Sequence, residues 1–167
     1  MSEQSIVVNE QDEIIEFRER TKLTHADRIR ITVVWIEDGK GNALIHRRSP
    51  LKSSWPNYWE NAAGGGVAHN ETYEENAYKE LAEEIGVHGV PLTFVKKICM
   101  PTPHGERYCS WYTAVLDWPI EQFVLQESEV AELKWVPKAE LFAHRDAHPD
   151  LYMPSSAYWR ELFDTTS

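Results

Sequence analysis

The chain has 167 residues, 42% of them hydrophobic, and a formal net charge of -10, which allows one sizeable core but not two. A single domain over positions 1–167 is therefore expected. The acidic balance excludes a long phosphate-tracking surface, and polymeric nucleic acid with it, because such binding draws on clustered Lys and Arg.

The start, Met1-Ser2-Glu3-Gln4, has no basic-then-apolar leader, and no apolar stretch approaches the ~20 residues of a membrane span, so a cytoplasmic protein off the membrane is expected. Two apolar bursts at 6–9 and 13–17 flank Gln11-Asp12 and predict a lead-in hairpin within positions 1–28. The β-branched and aromatic run at 29–36 and the apolar segment at 43–46 enclose the turn residues from Asp38 to Asn42, a second hairpin. Prolines 50 and 56 make 49–58 a loop, anchored by Trp55, Tyr58 and Trp59. A short strand at 61–67 follows, and its three glycines let another group approach the backbone closely.

Thr72 and Glu75 match a capping box, so a helix starts there, and Gly86 should end it. Strands are predicted at 92–100 and 107–116, with Cys99 and Cys109 facing each other as free thiols. A strand at 133–136, a short helix from Pro137 and a final helix at 155–163 complete the chain. Strands interleaved with helices imply an α+β domain, a mixed sheet with helices on its faces.

On the central helix, Tyr73, Ala77, Tyr78, Leu81, Ala82 and Ile85 fall on the half that would pack on the sheet. Glu80, Glu83 and Glu84 gather in another sector of roughly 100°, where like charges destabilise an isolated helix by a few tenths of a kcal/mol per pair. A hard divalent cation held by carboxylates and substrate phosphates would offset that repulsion. Taken alone, positions 79–84 read as an ordinary solvated face.

The wider spacing changes that reading. From Gly65, the segment GGVAHNETYEENAYKELAEEIGV resembles the Nudix signature at every position but one. Gly65, Glu71, Glu80, Leu81, Glu83, Glu84, Gly86 and Val87 match, and Lys79 stands where the family has arginine. The resemblance implies a Nudix-type α/β/α sandwich with a central mixed sheet, its Nudix loop and helix at 65–87. It also implies divalent metal, Mg2+ or Mn2+, on Glu80, Glu83, Glu84 and the Gly65 carbonyl, with Glu71 paired to the basic position. Lysine keeps the charge there but loses the planar fork of arginine.

Upstream, His46-Arg47-Arg48-Ser49-Pro50-Leu51-Lys52, Trp55-Pro56 and Trp59 resemble the entry segment of isopentenyl diphosphate isomerases and their Nudix hydrolase relatives. That likeness implies that Arg48 and Lys52 grip a diphosphate; the alternative is two solvated loop cations. The isomerases also need a cysteine and a metal-binding histidine where this chain has Gly64 and Gly66. Hydrolysis of a small nucleoside diphosphate-type substrate by water attack on phosphorus is the resulting expectation. Glu83 is the first choice of base, with Lys79 beside it and Glu129 or Glu127 as rivals; His104 and Arg107 would meet the substrate's other end. Isomerase chemistry and a catalytically silent nucleotide-binding module are the competing readings, and a homodimer stays open.

Overall fold

The computed structural model describes residues 3–165. Met1, Ser2, Thr166 and Ser167, the two ends of the expected domain, lie outside the described residues. The lead-in segment is a hairpin in which β1 (Gln4–Val8) pairs antiparallel with β2 (Ile14–Glu19). At its turn Asp12 adopts φ 61°, a backbone that Asp tolerates better than most residues. Its buried carboxylate accepts from Arg30, Lys97 and the Tyr73 hydroxyl, which ties the hairpin to the body of the fold.

β3 (Arg28–Glu37) and β4 (Asn42–Arg48) form the second hairpin, and the Asp38 carboxylate accepts the Lys40 and Asn42 amides across its turn. The expected glycine strand is two strands, β5 (Trp59–Asn61) and β6 (Ala63–Gly66). The break at Ala62 lets β5 pair with β4 while β6 pairs with β3. After helix α1 (Tyr73–Ile85) come β7 (Thr93–Thr102), β8 (Gly105–Val115), β9 (Val130–Pro137), α2 (Lys138–Ala147) and α3 (Trp159–Phe163).

β3 organises the sheet, with antiparallel β6 on one side and parallel β8 along its whole length on the other. Successive side chains of a strand point to opposite faces. Val34 and Ile36 therefore pack with Ala77, Leu81 and Ile85 of α1, while Val33 and Trp35 pack with Leu141 and Phe142 of α2 and Trp159 and Phe163 of α3. The result is an α+β fold, a mixed sheet with helices on both faces. No helix among the described residues is long and apolar enough to cross a membrane.

Several boundaries differ from expectation. β7 and β8 run through most of the expected turn, which shrinks to Pro103 and His104 because Gly105 takes φ 101°. Cys99 faces Tyr108 and Cys109 faces Ile98, so the two thiols are one residue out of register and on opposite faces; both are free. The final helix is a 3-10 turn (Pro154–Tyr158), in which Ser155 and Ser156 are buried, followed by α3. α1 itself begins with the Thr72–Glu75 capping box and ends at Gly86 in the left-handed conformation. Its buried face holds Asn76 and Glu84 besides Ala77, Leu81 and Ile85, whereas Tyr78 is exposed. Two polar groups can lie there because polar partners meet them, as the site makes plain.

Candidate active site

Two cavities meet along β6. One, of about 180 Å³, is lined by Glu80, Glu83 and Glu84 together with Lys52, Lys79 and Glu129. The other, of about 420 Å³, is lined by Ile29, Ile31 and Val33 of β3 and by Trp55, His104 and Arg107. Gly64, Gly65, Gly66, Arg20 and Arg48 line both, so the two are lobes of one cleft, one acidic and one with an apolar floor, called the apolar lobe below.

The glycines set how closely α1 approaches the sheet. A Cβ on Gly65 would lie 2.5 Å from the Glu80 carboxyl carbon, and one on Gly64 would collide with the Thr32 carbonyl oxygen. Glu84, 5% exposed, accepts the Gly64 N–H at 3.1 Å. The buried Asn76 amide donates to the Gly66 carbonyl at 3.0 Å, to Glu71 at 2.9 Å and to Glu80 at 3.3 Å, while its oxygen accepts the Thr32 hydroxyl. Lys79 pairs with Glu71 at 2.6 Å and lies 3.9 Å from Glu80. Its ammonium thus neutralises Glu71 without a guanidinium fork. Glu83 is exposed and makes no hydrogen bond or ion pair among the described residues.

Burial pushes Glu84 up to about 8, and the like charges of Glu60 and Glu80 add to it. Burial also pushes Glu80 up to about 7; Lys79 opposes this and Glu83 reinforces it. No three His, Cys, Asp or Glu side chains among the described residues are gathered tightly enough to hold a metal ion as they stand. The donor set still fits a hard divalent cation: oxygen donors only, among them the buried Glu84 and the half-buried Glu80, whose charges the protein alone disfavours.

The cations expected to grip phosphate are both engaged. Arg48 donates to Glu60 at 2.8 Å, to the Trp55 carbonyl at 3.1 Å and to the Ser54 carbonyl at 3.0 Å, so its guanidinium folds the loop at 49–58. Lys52 pairs with Glu129. Glu127 is exposed and lines neither lobe, whereas His104 and Arg107 both line the apolar lobe.

Sequence reasoning missed Asn76, His46 and Glu60. His46 is fully inside, its ring nitrogens 3.0 Å from Glu60 and 3.0 Å from the Ala62 carbonyl. The signal was its place in β4, an inward position in step with Leu44. Burial disfavours a charged His46, yet the charge and hydrogen bond of Glu60 outweigh it and hold the imidazole up to about 9. Burial likewise opposes the Glu60 charge, but His46 and Arg48 bring it down to about 2.

These two shifts fix a pH window. The raised His46 contributes stability fully below its ordinary 6.5 and loses it as pH rises through about 9. The depressed Glu60 contributes fully above its ordinary 4.5 and loses it as pH falls through about 2. The pair therefore supports the fold best between those ordinary values. The melting temperature of the metal-free protein is expected to fall from pH 6.5 to 9, and His46→Gln should make the fall shallower. Thermal unfolding followed by circular dichroism across that range checks this; equal slopes for the two proteins would contradict it.

A family model described as NUDIX domain matches residues 27–155. The chain is 31% identical over 155 residues to the uncharacterized Nudix hydrolase YfcD of Salmonella typhi, covering 92% of this chain and 82% of that protein. It is 31% identical over 157 residues to an uncharacterized Nudix hydrolase of Pseudomonas aeruginosa, covering 93% and 90%. A crystal structure from Deinococcus radiodurans superposes with a TM-score of 0.83 at 24% identity, covering 96% of this chain and 99% of that one, a likeness of fold.

Proposed function

Because the chain belongs to the NUDIX domain family, a family of hydrolases among its curated relatives, we propose that it is a metal-dependent pyrophosphohydrolase. Its reaction is water attack on phosphorus in the diphosphate linkage of a small nucleoside diphosphate-type substrate. The observation that carries this reading is the seating of two glutamates on bare glycine backbone: Glu80 against Gly65, and Glu84 on the Gly64 N–H. That contact sets an acidic helix against a cleft with an apolar lobe beside it.

Glu80, Glu83 and Glu84, with the Gly65 carbonyl, would hold Mg2+ or Mn2+, which when bound supplies charge neutralisation for the diphosphate oxygens. Glu83 takes the proton of the attacking water, since it reaches the lobe with no partner to release. Lys79 acts through Glu71, holding the loop and helix together on that side of the lobe. Arg48 and Lys52 lend positive potential from positions fixed by Glu60 and Glu129. Glu129, already accepting from Lys52, is the weaker base. The apolar lobe takes the rest of the substrate, within reach of His104 and Arg107.

The isomerase reading loses support at Gly64, where even a Cβ would collide with Thr32, so a thiol has no room. The test is separation of the cleavage products (nucleoside monophosphate with phosphate, pyrophosphate or a sugar phosphate) from nucleoside diphosphates, triphosphates, sugar conjugates and dinucleotides, with Mg2+, with Mn2+ and with chelator. Turnover of at least one class with metal, and none with chelator, is expected. Background rates throughout would favour a silent nucleotide-binding module.

A further inference from the structure

With Arg48 bound to Glu60 and Lys52 to Glu129, two other guanidinium groups stand out in the cleft. Arg107, near the start of β8, is half-buried in the apolar lobe and donates only to the carbonyls of Glu106 at 3.0 Å and His104 at 2.8 Å. No carboxylate among the described residues lies within ion-pair distance of it. An arginine has five N–H donors, so much of this group's capacity is unspent. Asp27, the acid whose charge favours it, is committed to Arg18 and to the Thr24 amide and hydroxyl.

Arg20 lines both lobes, and among the described residues its guanidinium meets a carboxylate only at Glu3, 3.8 Å away, with both side chains more than half exposed. Its charge acts on Arg107, and together with burial it lowers the affinity of that guanidinium for its proton. Holding a half-buried cation beside a second cation, without a carboxylate, is unfavourable unless an anion joins them.

The strand register locates the pair. Gly66 faces Ile31, which faces Cys109, and Arg107 is two residues earlier on β8. Two strand spacings across and two residues along put the Arg107 backbone about 12 Å from that of Gly66. Arg107 lines the apolar lobe and not the acidic one, whereas Glu80, Glu83 and Glu84 line only the acidic lobe, so an anion on Arg107 is set apart from the one over the glutamates. We propose that Arg20 and Arg107 form an anion subsite in the apolar lobe, taking a second phosphate or carboxylate that the substrate carries beyond its scissile diphosphate. The identity of the cleaved bond rests on the hydrolase reading above; the binding does not.

The full chain, kept metal-free with chelator, is titrated with inorganic phosphate and separately with succinate, by calorimetry and thermal shift. Saturable binding of at least one anion is expected, and the one bound more tightly names the group. Arg107→Gln should weaken it about tenfold or more, the loss of one charge-assisted pair, with Arg107→Lys retaining more than Arg107→Gln. Arg20→Gln should also weaken it, and Lys96→Gln, which removes a cation outside both lobes, should leave it unchanged. No saturable binding of either anion, or binding indifferent to both arginine substitutions, overturns the subsite. Lack of turnover across the substrate panel would overturn the hydrolase reading and leave this binding result standing.

Discussion

Glu83→Gln is expected to lower turnover by about 10²–10⁴-fold, the range for losing a positioned general base. Stability should stay within about 0.5 kcal/mol, as for exposed substitutions that break no packing or pairing. The argument is one of contrast along a single helix. Glu83 is exposed and unpaired, so the amide disturbs nothing in the fold, yet it lines the acidic lobe and contributes negative charge felt by Glu80. Glu84 is buried, and its charge is disfavoured in the protein alone. Glu84→Gln should therefore lose turnover as well while the metal-free protein becomes more stable above pH 4.5, because the raised carboxyl loses stability as it ionises. Steady-state rates with Mg2+, set beside thermal melts of both variants, read the two effects separately. Undiminished turnover of Glu83→Gln would move the proton acceptor to Glu129.

Gly64→Ala and Gly65→Ala, one residue apart, should fail in different ways. On Gly64 the new methyl meets the Thr32 carbonyl oxygen, backbone of a central strand that cannot swing aside. A stability loss of roughly 1–3 kcal/mol or more is expected, as for overpacking of a well-packed site. On Gly65 the methyl meets the end of the Glu80 side chain, which can rotate away. That variant should keep most of its stability and lose about 10²-fold in rate, the scale on which displacing an active group by about 1 Å acts. Denaturant melts and turnover on the same preparations check the pair. A Gly65→Ala protein with full activity would remove the Gly65–Glu80 contact from the mechanism.

What could be read from the chain depended on how far apart the interacting residues were. α1 was legible to its ends because Thr72, Glu75 and Gly86 are local signals, and the pairing of Lys79 with Glu71 came from a matched motif spanning a few turns. The burial of Glu84 was not legible, because its surroundings, Gly64 and His46, arrive from β6 and β4. Helical periodicity placed Tyr78 inside and said nothing of Asn76, whose partners Thr32 and Gly66 lie on two strands. Arg48 read as a ligand for phosphate because Glu60 reaches it only once β5 pairs with β4. Arg20 carried no pattern at all, being one cation in a three-residue 3-10 turn between β2 and β3.

One strand underlies both halves of the cleft. β3 supplies the apolar floor at Ile29, Ile31 and Val33, and the same strand hydrogen-bonds the glycine segment on which the glutamates rest. The residues around that floor, Arg20, Trp55, His104 and Met153, belong to connections outside its ladder. A change in those connections would therefore remodel what the larger lobe admits while leaving the seat of the glutamates, fastened to a shared beam, in place.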